Sequence, residues 1–383
     1  MSKIKIGFVI PKYKGIQTKF TNGLEQNTYY LVALFRSIAE YEISYVLVSD
    51  NCLEESLKNQ RELQDDTPLV ELNSLDPTLE EPVIYDVLIH IESYLPEHFI
   101  KAIRSRFPTK FVTFFAGNTM WGFMEAIIHN RNASAIPTYE SGIMDELWTS
   151  PHYFYQKTFL ETLTKSPVMI IPYLYEPWFL QKLENSRKEQ NSNFSSYYCT
   201  STRKNIGILE PNISVTKNAV IPACIIEQLY CINKELFEER AVLIYGADHL
   251  VKHRSFQRLF GYFKSKSLFT ANPRFTIVDI LHYNCDFIIS HQHSNELNYL
   301  YLDALYYNIP LIHNSDMLKD YGYYYPDFDI RKGAQALKNA LENHNSYIEA
   351  YDSSAKKALY QFSTRNQQNI DGYKNLIRSL LAK

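Results

Sequence analysis

Short runs of β-branched and aromatic residues alternate with stretches of helical periodicity along most of the chain. Such alternation is typical of parallel sheets whose strands are joined by crossover helices, and it excludes all-α and all-β folds. Apolar residues recur at helical spacing in Leu24–Glu40 and Pro96–Arg106. The predicted strands of this first series are Lys3–Ile10, Ile43–Val48, Val83–Ile91, Lys110–Phe115, Glu146–Thr149 and Val168–Ile171.

A polar stretch then interrupts the alternation. Residues 186–204 are rich in Ser, Asn, Lys and Arg and have almost no aliphatic side chains, which predicts a linker or an exposed loop. A second series follows, and residues 333–383 have a helical pattern throughout. The predicted strands of the second series are Asn205–Leu209, Ala241–Tyr245, Asp286–Ser290 and Pro310–His313.

A chain of 383 residues is too long for one hydrophobic core, so we expect two domains. The two series predict an α/β protein with two facing Rossmann-like, doubly wound domains, a cleft between them and a helical C-terminal tail. We expect the first domain over residues 1–185, the second over 205–365, and a final helix over 366–383 that returns to the first domain. Ligands of such sheets bind beyond the carboxyl ends of the strands, so the active site is expected in the cleft.

Charge and cysteine content narrow the possible functions. The formal net charge is −3, so contact with a nucleic acid would require a local basic patch. The five cysteines lack zinc-ligand or thioredoxin-like spacing, which is typical of free thiols in a reducing compartment. The apolar N-terminal stretch is too short for a signal peptide, and no run reaches the ~20 apolar residues of a membrane span. We therefore expect the protein in the cytoplasm of a bacterium or an infected host cell.

The segment Ser290–Ser315 contains the densest group of polar side chains suited to binding a ligand. A strand is predicted to end at its first residue, and a helix to begin near Asn295 or Asn298. A helix N-terminus suits a diphosphate because it has unpaired N–H groups and a partial positive charge. Asn295 and Asp303 would lie two turns apart on one helical face, where Asp303 could bind ribose hydroxyls. The same spacing fits an alternative in which Asn295 only caps the helix and Asp303 is solvated.

The run Asp303–Pro310 resembles the donor-binding segment of GT-B glycosyltransferases, in which an acidic pair brackets a glycine turn ahead of a Glu-Ala-Met-Ala-x-Gly-x-Pro-like sequence. Asp303 matches the ribose-binding acid, Asn295 replaces the first acid, and Asn298 with its neighbours replaces the glycine turn. The resemblance implies a GT-B fold, a nucleotide-sugar donor (a UDP-sugar), no permanently bound cofactor and no metal. The predicted donor contacts in this segment are His291, Asn295, Asn298, Tyr299 and Asp303.

Several short segments in both predicted domains are shared with one group of proteins. They are Asn22–Asn27, Ala116–Asn118, Glu146–Trp148 with His152, Glu210–Asn212 with Lys217, Ser290–Gln292 and Tyr323–Asp329. Through them the chain resembles an uncharacterised glycosyltransferase-like family of Gram-negative bacteria and tailed phages. The resemblance implies transfer of a hexose or pentose from a nucleoside-diphosphate sugar to a hydroxyl acceptor. It also implies an acceptor-side first domain and a donor-binding second domain.

Further donor contacts are predicted at the first turn of each half. Asn22 and Gly23 follow the first strand, where a glycine lets the backbone approach a ligand. Asn212 follows the first strand of the second half, and Lys217 lies just beyond it, where the resemblance implies a basic residue against the diphosphate. Arg274 is the second candidate for that role. The alternative for Lys217 is an exposed lysine at a helix start.

Candidates for the general base lie in the first half, at or beyond predicted strand ends. They are His90, Glu92, Glu125 and His152. Because a base must reach the acceptor hydroxyl, each of them could equally be an ordinary polar residue. Helix N–H groups and Lys217 would stabilise the leaving diphosphate without a metal. The segments nearest to a metal-binding acidic pair are Asp65-Asp66 and Asp327-Phe328-Asp329, and the second follows Pro326 and is predicted to be a turn.

Two basic clusters stand out against the net negative charge. The first is Lys101, Arg104, Arg106 and Lys110, and the second is Lys252, His253, Arg254, Arg258, Lys264 and Lys266. Such clusters can follow a phosphate backbone, although a solvated helix face has the same pattern. With Asn118 as a further acceptor contact, they favour double-stranded phage DNA whose 5-hydroxymethylated pyrimidines are flipped out of the stack.

Two other functions fit the same sequence. One is a transferase acting on a bacterial surface glycan precursor, of lipopolysaccharide or capsule, with residues 254–264 docking on a membrane as an amphipathic helix. The other is a nucleotide-sugar epimerase or a non-catalytic nucleotide-sugar-binding module. The asparagine at position 295, where the GT-B pattern has an acid, keeps this last possibility open.

Overall fold

Each half of the chain forms a parallel β-sheet. The computed structural model describes residues 3–15, 23–91, 93–131, 142–191, 194, 205–283 and 285–383. The first unit comprises Met1–Glu176 together with Phe362–Lys383, and the second comprises Pro177–Gln361. The chain therefore leaves the first unit before the predicted domain end at residue 185 and re-enters it before residue 366.

The first unit contains a seven-stranded sheet in the order β3-β2-β1-β4-β5-β6-β7, with every neighbouring pair parallel. Its central strand is buried from Ile6 to Ile10, as expected for a strand covered on both faces. The strands are β1 Ile4–Ile10, β2 Tyr41–Leu47, β3 Leu69–Glu71, β4 Val87–His90, β5 Lys110–Phe115, β6 Glu146–Thr149 and β7 Val168–Ile170.

The second unit contains a six-stranded sheet in the order β10-β9-β8-β11-β12-β13, again parallel throughout. Its central strands are short and apolar and contribute to one core with the flanking helices. The strands are β8 Ile206–Ile208, β9 Val242–Tyr245, β10 Phe269–Asn272, β11 Phe287–Ile289, β12 Leu311–His313 and β13 Tyr323–Tyr324.

Helices connect the strands in both units. In the first unit the described helices are α1 Gly23–Arg36, α2 Leu53–Leu63, α3 Glu97–Arg106, α4 Thr119–Ile128 and α5 Lys157–Thr164. In the second they are α6 Trp178–Gln190, α7 Val220–Ile232, α8 Arg254–Gly261, α9 Ile277–Tyr283, α10 Tyr299–Tyr306, α11 Ile330–Asn343 and α12 Ile348–Phe362, and the chain ends with α13 Gln367–Leu381. No helix in the described ranges is long and apolar enough to span a membrane.

The strand order reverses once in each sheet, between β1 and β4 and between β8 and β11. Connections run in opposite directions from such a point, which leaves a crevice at the carboxyl ends of the two central strands. Within β8 of the second unit, the side chains of Cys285 and Leu209 occupy the space beside position 207, which therefore requires a glycine. A Cβ atom on Gly207 would lie 2.5 Å from the Sγ atom of Cys285, closer than any packed side chain allows.

The predicted α/β architecture with two Rossmann-like sheets is confirmed. The structure differs from the prediction in three short strands and in the end of helix α6. The strands β3, β10 and β13 were not predicted, because they are short and only partly buried and so lack a run of apolar residues. Residues 186–190, predicted as linker, form the end of helix α6, because polar side chains are compatible with a helix end that faces solvent. Of the remaining linker residues 191–204, the described ranges include Asn191 and Phe194.

The last helix, α13, belongs to the first unit and is fixed there by Tyr373. Its ring is 2% exposed and packs edge-on against Phe35, with ring centroids 5.5 Å apart. Its hydroxyl donates a hydrogen bond of 2.7 Å to the backbone carbonyl of Pro172. The ring of Tyr373 is thus packed against apolar side chains, and its buried hydroxyl has a hydrogen-bond partner, as a buried tyrosine requires.

Glu176 joins the two places where the chain passes between the units. One oxygen of its buried carboxylate accepts hydrogen bonds from the Ser363 hydroxyl at 2.7 Å and from the Thr364 N–H and hydroxyl at 2.8 Å each. The backbone carbonyl of Glu176 accepts a further bond of 2.6 Å from the Tyr30 hydroxyl. A single side chain therefore fixes the outgoing and the returning segments to each other.

We expect Glu176→Ala to lower the free energy of unfolding by about 1–3 kcal/mol, because it leaves buried donors on Ser363 and Thr364 without an acceptor. Calorimetric unfolding measures the loss. Glu40→Ala is the matched control, since Glu40 also contacts the last helix, through Lys374 and Arg378, but is exposed. Equal effects of the two substitutions would contradict the role given to Glu176.

Candidate functional site

The reversal point of the second sheet contains a cluster of polar residues. Glu210 follows strand β8, and Ser290 to Gln292 follow strand β11, so both segments leave the carboxyl ends of the two central strands. The backbone N–H of His293 donates to the carbonyl of Thr216 at 3.0 Å, which ties the two loops together. Both segments carry part of the sequence resemblance, but Glu210 and Gln292 were not among the predicted donor contacts.

Glu210 is a fully enclosed acid with 1% of its surface exposed. Its carboxylate accepts hydrogen bonds from the Ser290 hydroxyl and from the Gln292 side-chain amide, the latter at 3.1 Å. Burial raises the pKa of Glu210 to about 7, although the bonds from Ser290 and Gln292 and the charge of Lys217 act in the opposite direction. Glu210 therefore carries a proton in a large fraction of molecules at neutral pH.

Gln292 is the centre of this network. Its side-chain oxygen accepts hydrogen bonds from the amide of Asn295 and, at 2.9 Å, from the amide of Asn298. Its backbone N–H donates to the Asn314 side-chain oxygen at 2.9 Å, and its carbonyl accepts from the Asn314 amide at 3.0 Å. Every polar group of Gln292 is thus bonded, which fixes the loop after β11 in one conformation.

The helix predicted to begin near Asn295 or Asn298 begins at Tyr299. Asn298 is its cap, and its side-chain oxygen accepts from the Leu300 N–H at 2.9 Å. Asn295 therefore lies in the preceding loop, and its expected position two turns from Asp303 on one helical face is wrong. The left-handed conformation that a glycine turn would supply is adopted by Ser294, with φ 50°. The cap takes up the Leu300 amide, so this helix start offers fewer unpaired N–H groups than the sequence suggested.

Lys217 lies beside Glu210, and Arg274 lies close to Lys217. Lys217 is half-buried, and its backbone pairs with that of Gln292. Burial lowers the pKa of the Lys217 ammonium, Glu210 opposes this shift, and the charge of Arg274 reinforces it. Arg274 itself is exposed. The two predicted diphosphate contacts are therefore close enough to influence each other, which gives this edge of the sheet a concentrated positive charge.

His291 contributes a buried imidazole to the loop after β11. Its Nδ1 atom is 3.0 Å from the Tyr325 hydroxyl, and its ring lies 4.5 Å from that of Phe328. Its Nε2 atom is buried and has no hydrogen-bond partner in the described chain. Burial, reinforced by His293, lowers the pKa of His291 to about 4, so the ring is neutral at physiological pH. A neutral ring nitrogen of this kind can bond a hydroxyl group of a ligand.

Asn212 supports the loop after β8 from within. Its side-chain amide donates to the Glu210 carbonyl at 2.7 Å, and its side-chain oxygen accepts from the Ala219 N–H at 2.8 Å. The backbone at Gly246 passes close by with φ 66°, and a Cβ atom there would lie 3.1 Å from the Glu210 carbonyl oxygen. Asn212 therefore uses its polar atoms within the protein, and its contact with a donor stays a prediction.

Helix α10 and the loop before it contribute three more side chains to the site region, namely Asp303, Tyr299 and Glu296. Asp303 is partly buried on α10, and Tyr299, at the start of that helix, is buried. Glu296 was not predicted. Burial and the neighbouring Asp316 raise the pKa of Glu296, and one of its carboxylate oxygens is buried without a partner among the described residues. Its position directly after Asn295, the residue that replaces an expected acid, was the signal in the sequence.

The candidates for the general base belong to the first unit. His90 is fully buried at the end of β4 between Tyr94 and Phe111, and burial lowers its pKa to about 3. His152 is 2% exposed. Glu125 is partly exposed on helix α4. Asn22 and Glu92 lie outside the described residues.

The other predicted contacts of the first unit lie at helix starts. Gly23 begins helix α1. Asn118 caps helix α4, and its side-chain oxygen accepts from the Trp121 N–H at 3.2 Å. The Gln156 side-chain oxygen accepts from the next amides, those of Thr119 and Met120, at 3.0 and 3.2 Å. The first turn of α4 is therefore already capped by side chains of the protein.

The first basic cluster is largely neutralised by neighbouring acids. Lys101 pairs with Glu97 at 2.8 Å, and Arg104 pairs with Asp145. Lys110 lies 3.6 Å from the same aspartate. Arg106 packs over the ring of Phe107. A phosphate backbone would have to compete with these carboxylates.

The second basic cluster is different. Its six side chains, Lys252, His253, Arg254, Arg258, Lys264 and Lys266, are all exposed, and none forms a salt bridge with an acid in the described chain. They lie on or next to helix α8, whose Phe256 and Phe260 pack into the core of the second unit. Tyr262 is 71% exposed, and its hydroxyl accepts from the Arg258 guanidinium at 3.2 Å. We call these six residues and Tyr262 the α8 basic patch.

Solved structures with similar folds were found over the whole chain. A glycosyltransferase from Rickettsia africae ESF-5 has a TM-score of 0.56 at 13% identity and covers 100% of this chain and 99% of its own. The pneumococcal O-GlcNAc transferase GtfA, solved with UDP and GlcNAc, has a TM-score of 0.54 at 9% identity over 100% of both chains. An S. aureus TarM mutant, solved with Fondaparinux, alpha-GlcNAc-glycerol and UDP, has a TM-score of 0.56 at 9% identity, covering 98% of this chain and 100% of its own.

These similarities confirm the predicted GT-B fold. Among curated proteins, none matches the sequence. The link to a family of Gram-negative bacteria and tailed phages stays a prediction. One family model, described as "Protein of unknown function (DUF2827)", matches residues 6–377. Since this match spans nearly all of the sequence, the chain belongs to the DUF2827 family.

Proposed function

We propose that the protein is a glycosyltransferase that takes a sugar from a nucleoside-diphosphate sugar, with a UDP-sugar as the first candidate. The observation that carries the proposal is Lys217, which lies beside the buried acid Glu210 at the reversal point of the second sheet of a GT-B fold and is close enough to Arg274 for the two charges to interact. Doubly wound sheets bind nucleotides at such points. Two proteins of similar fold, GtfA and TarM, were solved with UDP.

The chemistry of this reaction requires charge stabilisation of the leaving nucleoside diphosphate. Lys217 and Arg274 are proposed to supply two positive charges where that negative charge develops, and the partial burial of Lys217 strengthens its contribution. We propose that they do this without a divalent metal. Among the described residues, the buried Nε2 atom of His291 and a buried oxygen of Glu296 have no hydrogen-bond partner, and we propose that they bond hydroxyl groups of the donor sugar once the surrounding loops rearrange. With Asn295 nearby, Glu296 would supply the acid that the expected position lacks.

The general base is proposed to come from the first unit. Of the three described candidates, His90 and His152 are buried, and Glu125 is partly exposed. Exposure supports Glu125, because a base must contact the acceptor hydroxyl. Asp303, on the helix after the donor loop, is proposed to accept hydrogen bonds from the ribose hydroxyls.

Replacement of Lys217 by Met should weaken binding of UDP-glucose about 10–100-fold, the cost of losing a hydrogen bond to a charged group. Titration calorimetry measures the affinity, and EDTA in the buffer tests the proposed metal independence. Lys338→Met is the matched control, because Lys338 is a lysine of the same unit that pairs with Glu342 on helix α11. An unchanged affinity in the Lys217 variant would remove the main support for the proposal.

Asp303→Ala should abolish the distinction between ribose and deoxyribose. We expect the wild-type protein to bind UDP about tenfold more tightly than 2′,3′-dideoxy-UDP, the value of one charged hydrogen bond to a hydroxyl. The variant should bind the two ligands equally and keep its melting temperature. If the variant still prefers UDP, another residue binds the ribose.

For the acceptor, we propose a molecule with a dense array of phosphates, and double-stranded DNA with 5-hydroxymethylated pyrimidines is the first candidate. The α8 basic patch supports this, because its cations are exposed and lack acidic partners in the part of the chain that the structure describes. The apolar side chains Phe256 and Phe260 pack into the protein core, which disfavours insertion of this helix into a membrane. A phosphate-bearing surface glycan precursor is the alternative acceptor.

Simultaneous replacement of Lys252, Arg254 and Arg258 by Ala should weaken binding to duplex DNA and reduce the slope of log affinity against log salt by about 3, one unit for each phosphate that the protein no longer neutralises. Fluorescence anisotropy measures both quantities. The control removes three paired lysines, Lys332, Lys338 and Lys356, with the same change in net charge. Wild-type protein that binds no DNA at low salt would exclude a DNA acceptor and leave the surface glycan precursor.

Product analysis separates this proposal from the other functions of the same fold. A transferase slowly hydrolyses its nucleotide-sugar when no acceptor is present, whereas an epimerase interconverts two free nucleotide-sugars. A non-catalytic binding module does neither. Incubation with hydroxymethylated and plain DNA, followed by mass spectrometry of the nucleosides, then identifies glycosylated pyrimidines.

A further inference from the structure

Glu210 is buried at the centre of the candidate donor site and lies behind the groups proposed to touch the donor. It is 1% exposed, so a ligand cannot contact it without rearrangement of the loops. Burial of a carboxylate costs free energy unless hydrogen bonds from the surrounding protein compensate for the lost hydration. The position of this acid therefore requires an explanation other than contact with substrate.

The hydrogen bonds of Gln292 indicate what the acid does. A carboxylate only accepts hydrogen bonds, so Glu210 attracts the amide N–H₂ group of Gln292, at 3.1 and 3.4 Å from its two oxygens. The carbonyl oxygen of Gln292 must then point the other way. There it accepts from the amides of Asn295 and Asn298. Rotating the Gln292 amide by half a turn would place oxygen against oxygen on one side and N–H against N–H on the other.

The orientation is transmitted further along the loop. Since the Asn298 amide N–H₂ group is bound to Gln292, its side-chain oxygen faces the helix and caps the Leu300 N–H at 2.9 Å. The backbone of Gln292 also pairs with that of Lys217. One acceptor at Glu210 thus determines the orientation of two amides, the start of helix α10 and the loop that carries Lys217.

We propose that Glu210 is a positioning residue that fixes the donor-binding loops through Gln292, an inference that rests on the function proposed above. A negative charge on Glu210 would weaken binding of a diphosphate, because a carboxylate beside Lys217 offsets the positive charge of the lysine. Burial accordingly favours its protonated form, and a protonated acid still has an oxygen that accepts from Gln292. The structural contribution is the acceptor, and the charge opposes donor binding.

Exchange of the two side chains tests this proposal. In Glu210→Gln/Gln292→Glu, the amide at 210 donates to the acid at 292, whose oxygens still accept from Asn295 and Asn298. Every hydrogen bond is preserved and side-chain volume is unchanged, so the double variant should bind UDP within about threefold of the wild type. Gln292→Glu alone puts two carboxyl groups together, and at alkaline pH it should weaken UDP binding about tenfold or more.

Two single variants separate positioning from charge. If Glu210 acts only through its charge, Glu210→Gln and Glu210→Ala both bind UDP more tightly than the wild type. If it acts by positioning, Glu210→Gln binds UDP as tightly or more tightly, and Glu210→Ala binds about tenfold more weakly. Glu227→Ala is the control, since Glu227 accepts bonds from Lys264 and Ser265, outside the donor loops.

Titration calorimetry measures the affinity of each variant for UDP, and the melting temperatures of the unliganded proteins show whether each variant folds. Each outcome either supports or overturns the positioning role of Glu210. A double variant no better than Gln292→Glu, or an Ala variant that binds as the wild type does, overturns the positioning role while the proposed donor site stands. Wild-type protein that binds neither UDP nor any other nucleoside diphosphate overturns both. Restored binding in the double variant supports the proposal even if Glu210→Ala does not fold.

Discussion

The second unit depends on the pairing of β8 with β11 at the point where its sheet reverses direction. Gly207, within β8, leaves room for the side chains of Cys285 and Leu209, which a Cβ atom there would overlap. Because the two strands are neighbours, the loops that leave their carboxyl ends meet, and the buried polar groups of these loops bond to one another. The network around Glu210 and Gln292 is the result. Packing of the core and arrangement of the candidate site are therefore consequences of one constraint on the backbone.

Much of the fold was predictable from the sequence. The central strands are runs of apolar residues buried on both faces, and β5 and β6 were predicted with the bounds they have. The edge strands β3, β10 and β13 were not, because half of an edge strand faces solvent and its sequence resembles that of a loop. The start of helix α10 was placed only to within three residues. Asn295 and Asn298 are equally good caps in isolation, and the choice depends on Gln292, a contact across the loop.

The residues of the candidate site were only partly foreseeable from the sequence. Lys217 was named because the resemblance implies a basic residue after the first strand of the second half, with Arg274 as the second candidate, and their contact with a donor stays a prediction. Glu210 was not named, because an acid beside a lysine usually indicates an exposed pair, and its burial depends on the tertiary packing. The two basic clusters were indistinguishable in sequence, since the acids that pair with the first cluster include Asp145, far along the chain from Arg104. Pairing across such separations is visible only in three dimensions.

The anchoring of helix α8 by Phe256 and Phe260 has a mechanical consequence for its outer surface. Side chains four residues apart on a helix are separated by ~6 Å along its axis, and a helix packed onto a core cannot adjust that interval. Arg254 and Arg258 are therefore held at a fixed spacing, so binding of the proposed polyanionic acceptor would cost little backbone entropy. By the same reasoning, a smaller side chain in place of Phe256 or Phe260 would loosen helix α8. The distance between Arg254 and Arg258 would then vary, although both charges would still be present.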